Sequence, residues 1–193
     1  KIKQVVDVRK GEVMFGLNMI VNKGRTIFVG DTSVHEYPTS EQMAEIAIST
    51  SRVVRLFGFD PKVAFVSHST FGQPLTSRTK HIRNAVEILK DKKVDFEFDG
   101  DMQPDVALNS EYEELYPFAK IVGKANILIM PGQHSAAISY KLMKTIGDTK
   151  VIGPLLVGLG LPIEIAPLRS STSEILNLAS IAAYSADVID YKK

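Results

Sequence analysis

"NILIMPGQHSAAISYKLMKTIG", Asn126 to Gly147, decides the fold class. An unbroken apolar run passes through a Pro-Gly turn into a helix-forming segment that stops at a glycine. Apolar residues without polar alternation mark a strand covered on both faces, the usual state of a parallel strand. "KVAFVS" (Lys62 to Ser67) repeats the pattern and leads to "RTKHIRNAVEILKDK", whose Ile82, Ala85, Val86 and Leu89 share one helical face. "VDFEFDG" alternates apolar with acidic residues and reads as a strand nearer an edge. Strands alternating with helices imply right-handed crossovers. The expectation is α/β: a mainly parallel sheet with flanking helices.

The flanks fit that plan. "EVMFGLNMIV" (Glu12 to Val21) and "RTIFVG" (Arg25 to Gly30) sit either side of "NKG", a hairpin signal because Asn and Gly tolerate positive φ. "PTSEQMAEIAISTSRVVRLFG" reads as a helix with a Thr39–Gln42 capping box and Gly58 as its stop. Met43, Ile46, Ala47, Val53, Val54 and Phe57 form its buried stripe. "KVIG" and "PIEIA" read as strands, and a helix from about Ser171 to Val188 ends the chain.

Composition excludes several functions. The 193 residues carry 23 basic and 22 acidic side chains, a balance without the basic surplus of a nucleic-acid binder. There is no cysteine, which removes disulfides and thiolate metal sites and makes a reducing cytoplasm the natural expectation. No apolar run approaches the roughly 18 residues of a membrane span. The chain opens on Lys1 without a signal-peptide pattern, as a piece of a longer chain would.

Four loops at expected strand ends carry polar residues suited to a ligand. In "SHSTFGQP" (Ser67 to Pro74), Ser67, Ser69, Thr70 and Gly72 offer hydroxyls and close backbone N–H groups, although a plain helix-capping loop explains the same residues. "FDGDMQPD" holds Asp99, Asp101 and Asp105 without the spacing of a calcium loop, so turn-forming aspartates are expected rather than a metal site. "MPGQHSAAISYKLMK" supplies Gln133, His134, a capping Ser135, and Lys141 and Lys144 a turn apart. "LPIEIAPLRSSTSEIL" (Leu161 to Leu176) places Arg169 and Ser170 before a helix whose first turn contains Glu174. An ordinary cap over Ser170 to Ser173 explains that stretch equally well.

Taken in order, "FVGDTSVHEYPTSEQMAEIA", "VAFVSHSTFGQP", "DFEFDGDMQPDVALN", "ILIMPGQHSAAISYKLMKTIG" and "VIGPLLVGLGLPIEIAPLRSSTSEIL" resemble the blocks of the phosphate acetyl/butyryltransferase (phosphotransacetylase) family. The resemblance runs from about Val13 to Ile189. It implies a dimer of isocitrate/isopropylmalate dehydrogenase-like two-lobed units, of which residues 1–193 would be the carboxyl-terminal portion. The departures matter as much. Active members carry a Ser-Arg pair and then an acid that acts on the coenzyme A thiol; here those positions are Pro167, Leu168 and Glu174. The usual Gly-Asn is Ala136-Ala137, and the usual arginine a turn after Lys141 is Thr145. These changes are similar to the phosphotransacetylase-like domain at the carboxyl end of bacterial NADP-dependent malic enzymes. That likeness implies a non-catalytic, acetyl-CoA-binding regulatory and dimerisation domain. Malate decarboxylation, NADP and the divalent metal would belong to a separate malic-enzyme domain of the same chain. Ser67, Ser69, Thr70, Gln133, Ser135, Lys141, Lys144, Arg169, Ser170 and Glu174 are then the candidate acyl-CoA contacts. Two other readings stand beside it. One is an active acyltransferase using Glu174, Arg169 and Ser170; the other is a purely structural oligomerisation module, which Ala136-Ala137 favours.

Overall fold

The computed structural model describes residues 2–72 and 75–189; Gln73 and Pro74 of the Ser67–Pro74 loop lie outside the described residues. Six strands form one sheet in the order β4-β3-β5-β2-β1-β6. They are β1 (Phe15–Asn22), β2 (Arg25–Gly30), β3 (Lys62–Val66), β4 (Glu97–Met102), β5 (Ile127–Ile129) and β6 (Lys150–Val157). The pairings β2–β5, β5–β3 and β3–β4 are parallel, whereas β1 is antiparallel to both β2 and β6. The sheet is therefore mixed, with β1 alone reversed.

The reversal follows from the hairpin. Lys23 (φ 46°) and Gly24 (φ 81°) take the two left-handed positions, so the turn is Lys-Gly and Asn22 stays in the strand. β4 lies at an edge and the apolar β3 and β5 lie inside, as their patterning predicts. "PIEIA" does not form a strand; only an isolated bridge from Glu164 to Leu155 survives there. β6 instead continues past "KVIG" to Val157.

Helices cover both faces. α1 (Ser40–Leu56), α2 (Ser77–Lys92) and Leu178 of α5 (Thr172–Val188) pack with Phe15, Phe28, Phe65 and Ile129 in one core. α3 (Pro104–Leu108) and α4 (Gln133–Ile146) contribute Ala107 and Ala136 to the opposite core, around Val29, Ala64 and Leu128. The Thr39–Gln42 capping box forms as expected, and matching boxes open α2 at Thr76–Thr79 and α5 at Ser171–Glu174. No described helix is long and apolar enough to cross a membrane.

The segment between β6 and α5 is held by a half-buried carboxyl. Glu164 borders a cavity of about 280 Å³ beneath the end of β6, and its Oε2 accepts the Leu156 N–H at 3.1 Å. Burial raises the Glu164 carboxyl to about 7, against the opposing pull of the Leu156 N–H. The folded state thus keeps a proton that the unfolded chain, with an ordinary glutamate near 4.5, has already lost. Stability should consequently fall as pH rises from about 4.5 to about 7 and level off above. Urea unfolding midpoints across this window should show the decline in the wild type, and Glu164→Gln should flatten it.

The turn entering α4 carries a steric constraint. Gly132 is buried, and a Cβ there would collide with the Glu36 carbonyl oxygen, which is backbone and has little freedom to retreat. Gly132→Ala should cost about 1–3 kcal/mol in chemical denaturation.

Candidate functional site

The ends of the parallel strands bring three loops together, and each is fixed by buried polar groups. Asp31, which follows β2, is 1% exposed. Its Oδ1 accepts N–H bonds from Gly16 (2.9 Å), Ser33 (2.8 Å) and Val34 (3.1 Å). Its Oδ2 accepts from the His35 N–H and meets His35 Nδ1, each at 2.7 Å. This folded turn then receives α4: the Gln133 N–H reaches the His35 carbonyl at 3.0 Å and the Gln133 side chain reaches the Ser33 carbonyl at 3.2 Å.

Asp101 organises the neighbouring loop. It is fully buried, pairs with Arg83 Nε at 2.7 Å and accepts the Ser69 hydroxyl at 3.1 Å. Its carbonyl holds the Phe71 N–H at 2.8 Å. Thr70 Oγ1 accepts the Gln103 N–H at 2.9 Å, and the Ser67 N–H donates to the Met102 carbonyl. The Ser67–Thr70 hydroxyl loop is thereby locked to the start of the β4–α3 connection. Asp99 faces a different task, accepting the Gly100 and Lys120 N–H groups. No group of three His, Asp or Glu side chains placed to hold a metal ion occurs among the described residues.

A second site lies against β6, between α4 and α5. Lys141, Lys144, Ser170 and Glu174 line one cavity of about 390 Å³ together with Tyr140 and Pro167. Residues 30 apart in sequence meet here: Lys144 Nζ is 3.2 Å from Glu174 Oε1. The Ser170 hydroxyl oxygen is buried without a hydrogen-bond partner, a group left for a ligand or water to satisfy. Glu174 is otherwise engaged. Its Oε2 accepts the Ser171 N–H at 2.8 Å and the Ser171 hydroxyl at 3.0 Å, completing the α5 capping box. The Ser171 N–H and then Lys144 pull the Glu174 carboxyl down to about 2. A carboxylate so acidic is a poor acceptor for a thiol proton near neutral pH.

Of the ten candidate contacts, then, Lys141, Lys144, Ser170 and Glu174 share a cavity that none of Ser67, Ser69 and Thr70 lines. Gln133 and Ser135 belong to the α4 entrance. Ser135 does not cap α4, since Gly132 takes the N-cap position and the Ser135 hydroxyl donates back to its carbonyl at 2.8 Å. Arg169 is exposed outside that cavity. Asp31, Arg83 and Asp101 escaped the sequence reading as organising groups. Their local motifs were visible, but partners 15 and 18 residues away were not.

Known proteins carry the same framework. Residues 1–183 match the family model described as phosphate acetyl/butaryl transferase. An NADP-dependent malic enzyme of Rhizobium meliloti is 44% identical over 185 residues, covering 96% of this chain and 24% of that protein. A phosphate acetyltransferase of Clostridium acetobutylicum is 35% identical, covering 83% of this chain and 49% of its own length. The crystal structure of a phosphotransacetylase from Streptococcus pyogenes superposes with a TM-score of 0.90 at 30% identity, covering 95% of this chain and 57% of that one. The chain therefore spans about a quarter of the malic enzyme and about half of the transferases. With a family model matched along nearly its whole length, on a fold shared with solved transferases, the chain belongs to the phosphate acetyl/butaryl transferase family.

Proposed function

We propose that this chain is a non-catalytic, acetyl-CoA-binding regulatory and dimerisation region of an NADP-dependent malic enzyme. Malate decarboxylation, NADP and the divalent metal are assigned to the remainder of that protein, and a second lobe completes the cleft. The observation that carries the reading is the condition of Glu174. Acyl transfer to a thiol requires a base to form the thiolate and donors for the phosphate and the oxyanion. Glu174 is bound into a helix cap and an ion pair, and is held near 2. The positions of the Ser-Arg pair hold Pro167 and Leu168, which provide no donor. Binding needs less. Lys141 and Lys144 supply cations for phosphates, and the unpartnered Ser170 hydroxyl supplies a buried polar contact.

Acetyl phosphate and coenzyme A should yield no useful rate of acetyl-CoA formation, since losing one preorganised donor typically costs about 100- to 1,000-fold. Calorimetric titration should show acetyl-CoA binding that weakens with salt and on Lys141→Ala. Robust turnover would establish an active transferase. Absence of binding would leave a structural module.

Dimerisation has a surface to use. α4 exposes Ile138, Leu142 and Ile146, and α5 exposes Ile175 and Leu176. Apolar residues of this size on adjoining helices favour a self-complementary contact. Light scattering at micromolar concentration should give a dimer mass, and Leu142→Glu with Leu176→Glu should shift it to monomer.

A further inference from the structure

Another cavity with a cation in its lining is distinct from the one at Lys141 and Lys144. About 520 Å³ in volume, it lies where the turn before α1, the first turn of α2 and the entrance of α4 meet. Its polar lining includes Tyr37, Ser77, Arg78, His134 and Ser135, with Glu36 as its acid. We infer that this cavity binds a phosphate-type oxyanion, with the Arg78 guanidinium as the principal contact and Ser77 and His134 as further donors.

Pairing sets Arg78 apart. Arg9 and Arg52 share Glu12, Arg55 holds Asp95, Arg83 holds Asp101, and Arg25 is bound to the Leu108 carbonyl. Arg78 and Arg169 are the two arginines without an oxygen acceptor among the described residues, and of these Arg78 lies in a cavity. Its guanidinium lies 6.0 Å from the centre of the Tyr37 ring, which guides the side chain without using its donors. A guanidinium with its fork free is the side chain best matched to a phosphate.

The walls are rigid for a separate reason. His81 Nε2 meets the Pro38 carbonyl at 2.7 Å, and the Ser40 hydroxyl meets the His81 carbonyl at 2.8 Å, fixing the turn to α2. The Gln133 N–H fixes the same turn to α4 through the His35 carbonyl. The walls satisfy one another, while Arg78 has no acceptor among them. The field agrees with the side chains: neither α2 nor α4 has an acidic residue in its first turn, whereas α1 and α5 have Glu41 and Glu174.

The test is titration with inorganic phosphate, followed by calorimetry, of the chain and its variants. Wild type should bind, with affinity falling as salt rises. Arg78→Ala should weaken binding at least about tenfold, the size of one lost charge-assisted contact. Arg78→Lys should recover part of it, and Glu36→Gln should tighten it by removing the opposing charge. Lys90→Ala, which removes a cation at the other end of α2 outside the cavity, should leave it unchanged. Arg78 is exposed, and thermal unfolding of each variant verifies that the fold persists. A parallel titration with adenosine 3′-phosphate identifies the source. Tighter binding that also depends on Arg78 assigns a phosphate ester, and equal binding assigns the free ion. Absence of phosphate binding to the wild type, or binding unaffected by Arg78→Ala, overturns the inference.

Discussion

The buried carboxylate of Asp31 is the constraint on which the arrangement of the strand ends depends. Removing a carboxylate from water costs several kcal/mol unless its lone pairs are filled. Here Gly16, Ser33, Val34 and His35 all donate to it. These bonds tie reversed strand β1 to the turn after β2 and curl that turn over the sheet edge. The curled turn then offers the His35 and Ser33 carbonyls to Gln133, and the Glu36 carbonyl seats against Gly132. One carboxylate thereby sets the entrance of α1 and the entrance of α4 together. Asp101 repeats the device on edge strand β4, three strand pairs away, binding Arg83, Ser69 and the Phe71 loop.

Such an architecture does not depend on the reacting groups. Asp31 and Asp101 spend their acceptors on backbone and neighbouring side chains. The cavity by β6 keeps two lysines and a free hydroxyl while its acid closes a helix cap. Glu174 needs no ligand for this role, because a capping glutamate at the third position of a helix is stabilising on its own. The hydroxyl-rich stretch before α5 is thus a cap by its hydrogen bonds, and also one wall of a cationic cavity.

The legible parts of the sequence were those governed by local rules. The capping box at Thr39, the buried stripes of α1 and α2, and the inner positions of β3 and β5 follow from spacing and apolar runs. Local rules also misled. Alternation in "PIEIA" suggested a strand, but Glu164 turns inward to the Leu156 N–H and little of a ladder forms. The hairpin was placed correctly, although Lys23 rather than Asn22 takes the left-handed position. What sequence could not give was convergence. Lys144 and Glu174 were both visible as candidates, yet their contact depends on α5 returning alongside α4. Arg78 carries no local signal in the sequence; it stands apart only because the turns around it use up one another's acceptors.

Regulation by a bound ligand needs an element with two arrangements, each with a different affinity. Under the proposed reading, the 161–170 segment is the connection such regulation would use. Leu161, Ile165 and Leu168 are exposed, and the segment is tied to β6 by the Glu164 bridge and the Leu156 N–H. Its far end supplies Pro167 and Ser170 to the cavity containing Lys141 and Lys144. A ligand that satisfied the Ser170 hydroxyl would favour the arrangement seen here over one in which the segment swings away. Because the anchor is a carboxyl raised to about 7, charging it weakens the same arrangement that such a ligand would strengthen. Under the acetyl-CoA reading, ligand and proton thus act in the same direction on one short connection, which meets the Asp31 carboxylate across the Gly16–Leu156 pair.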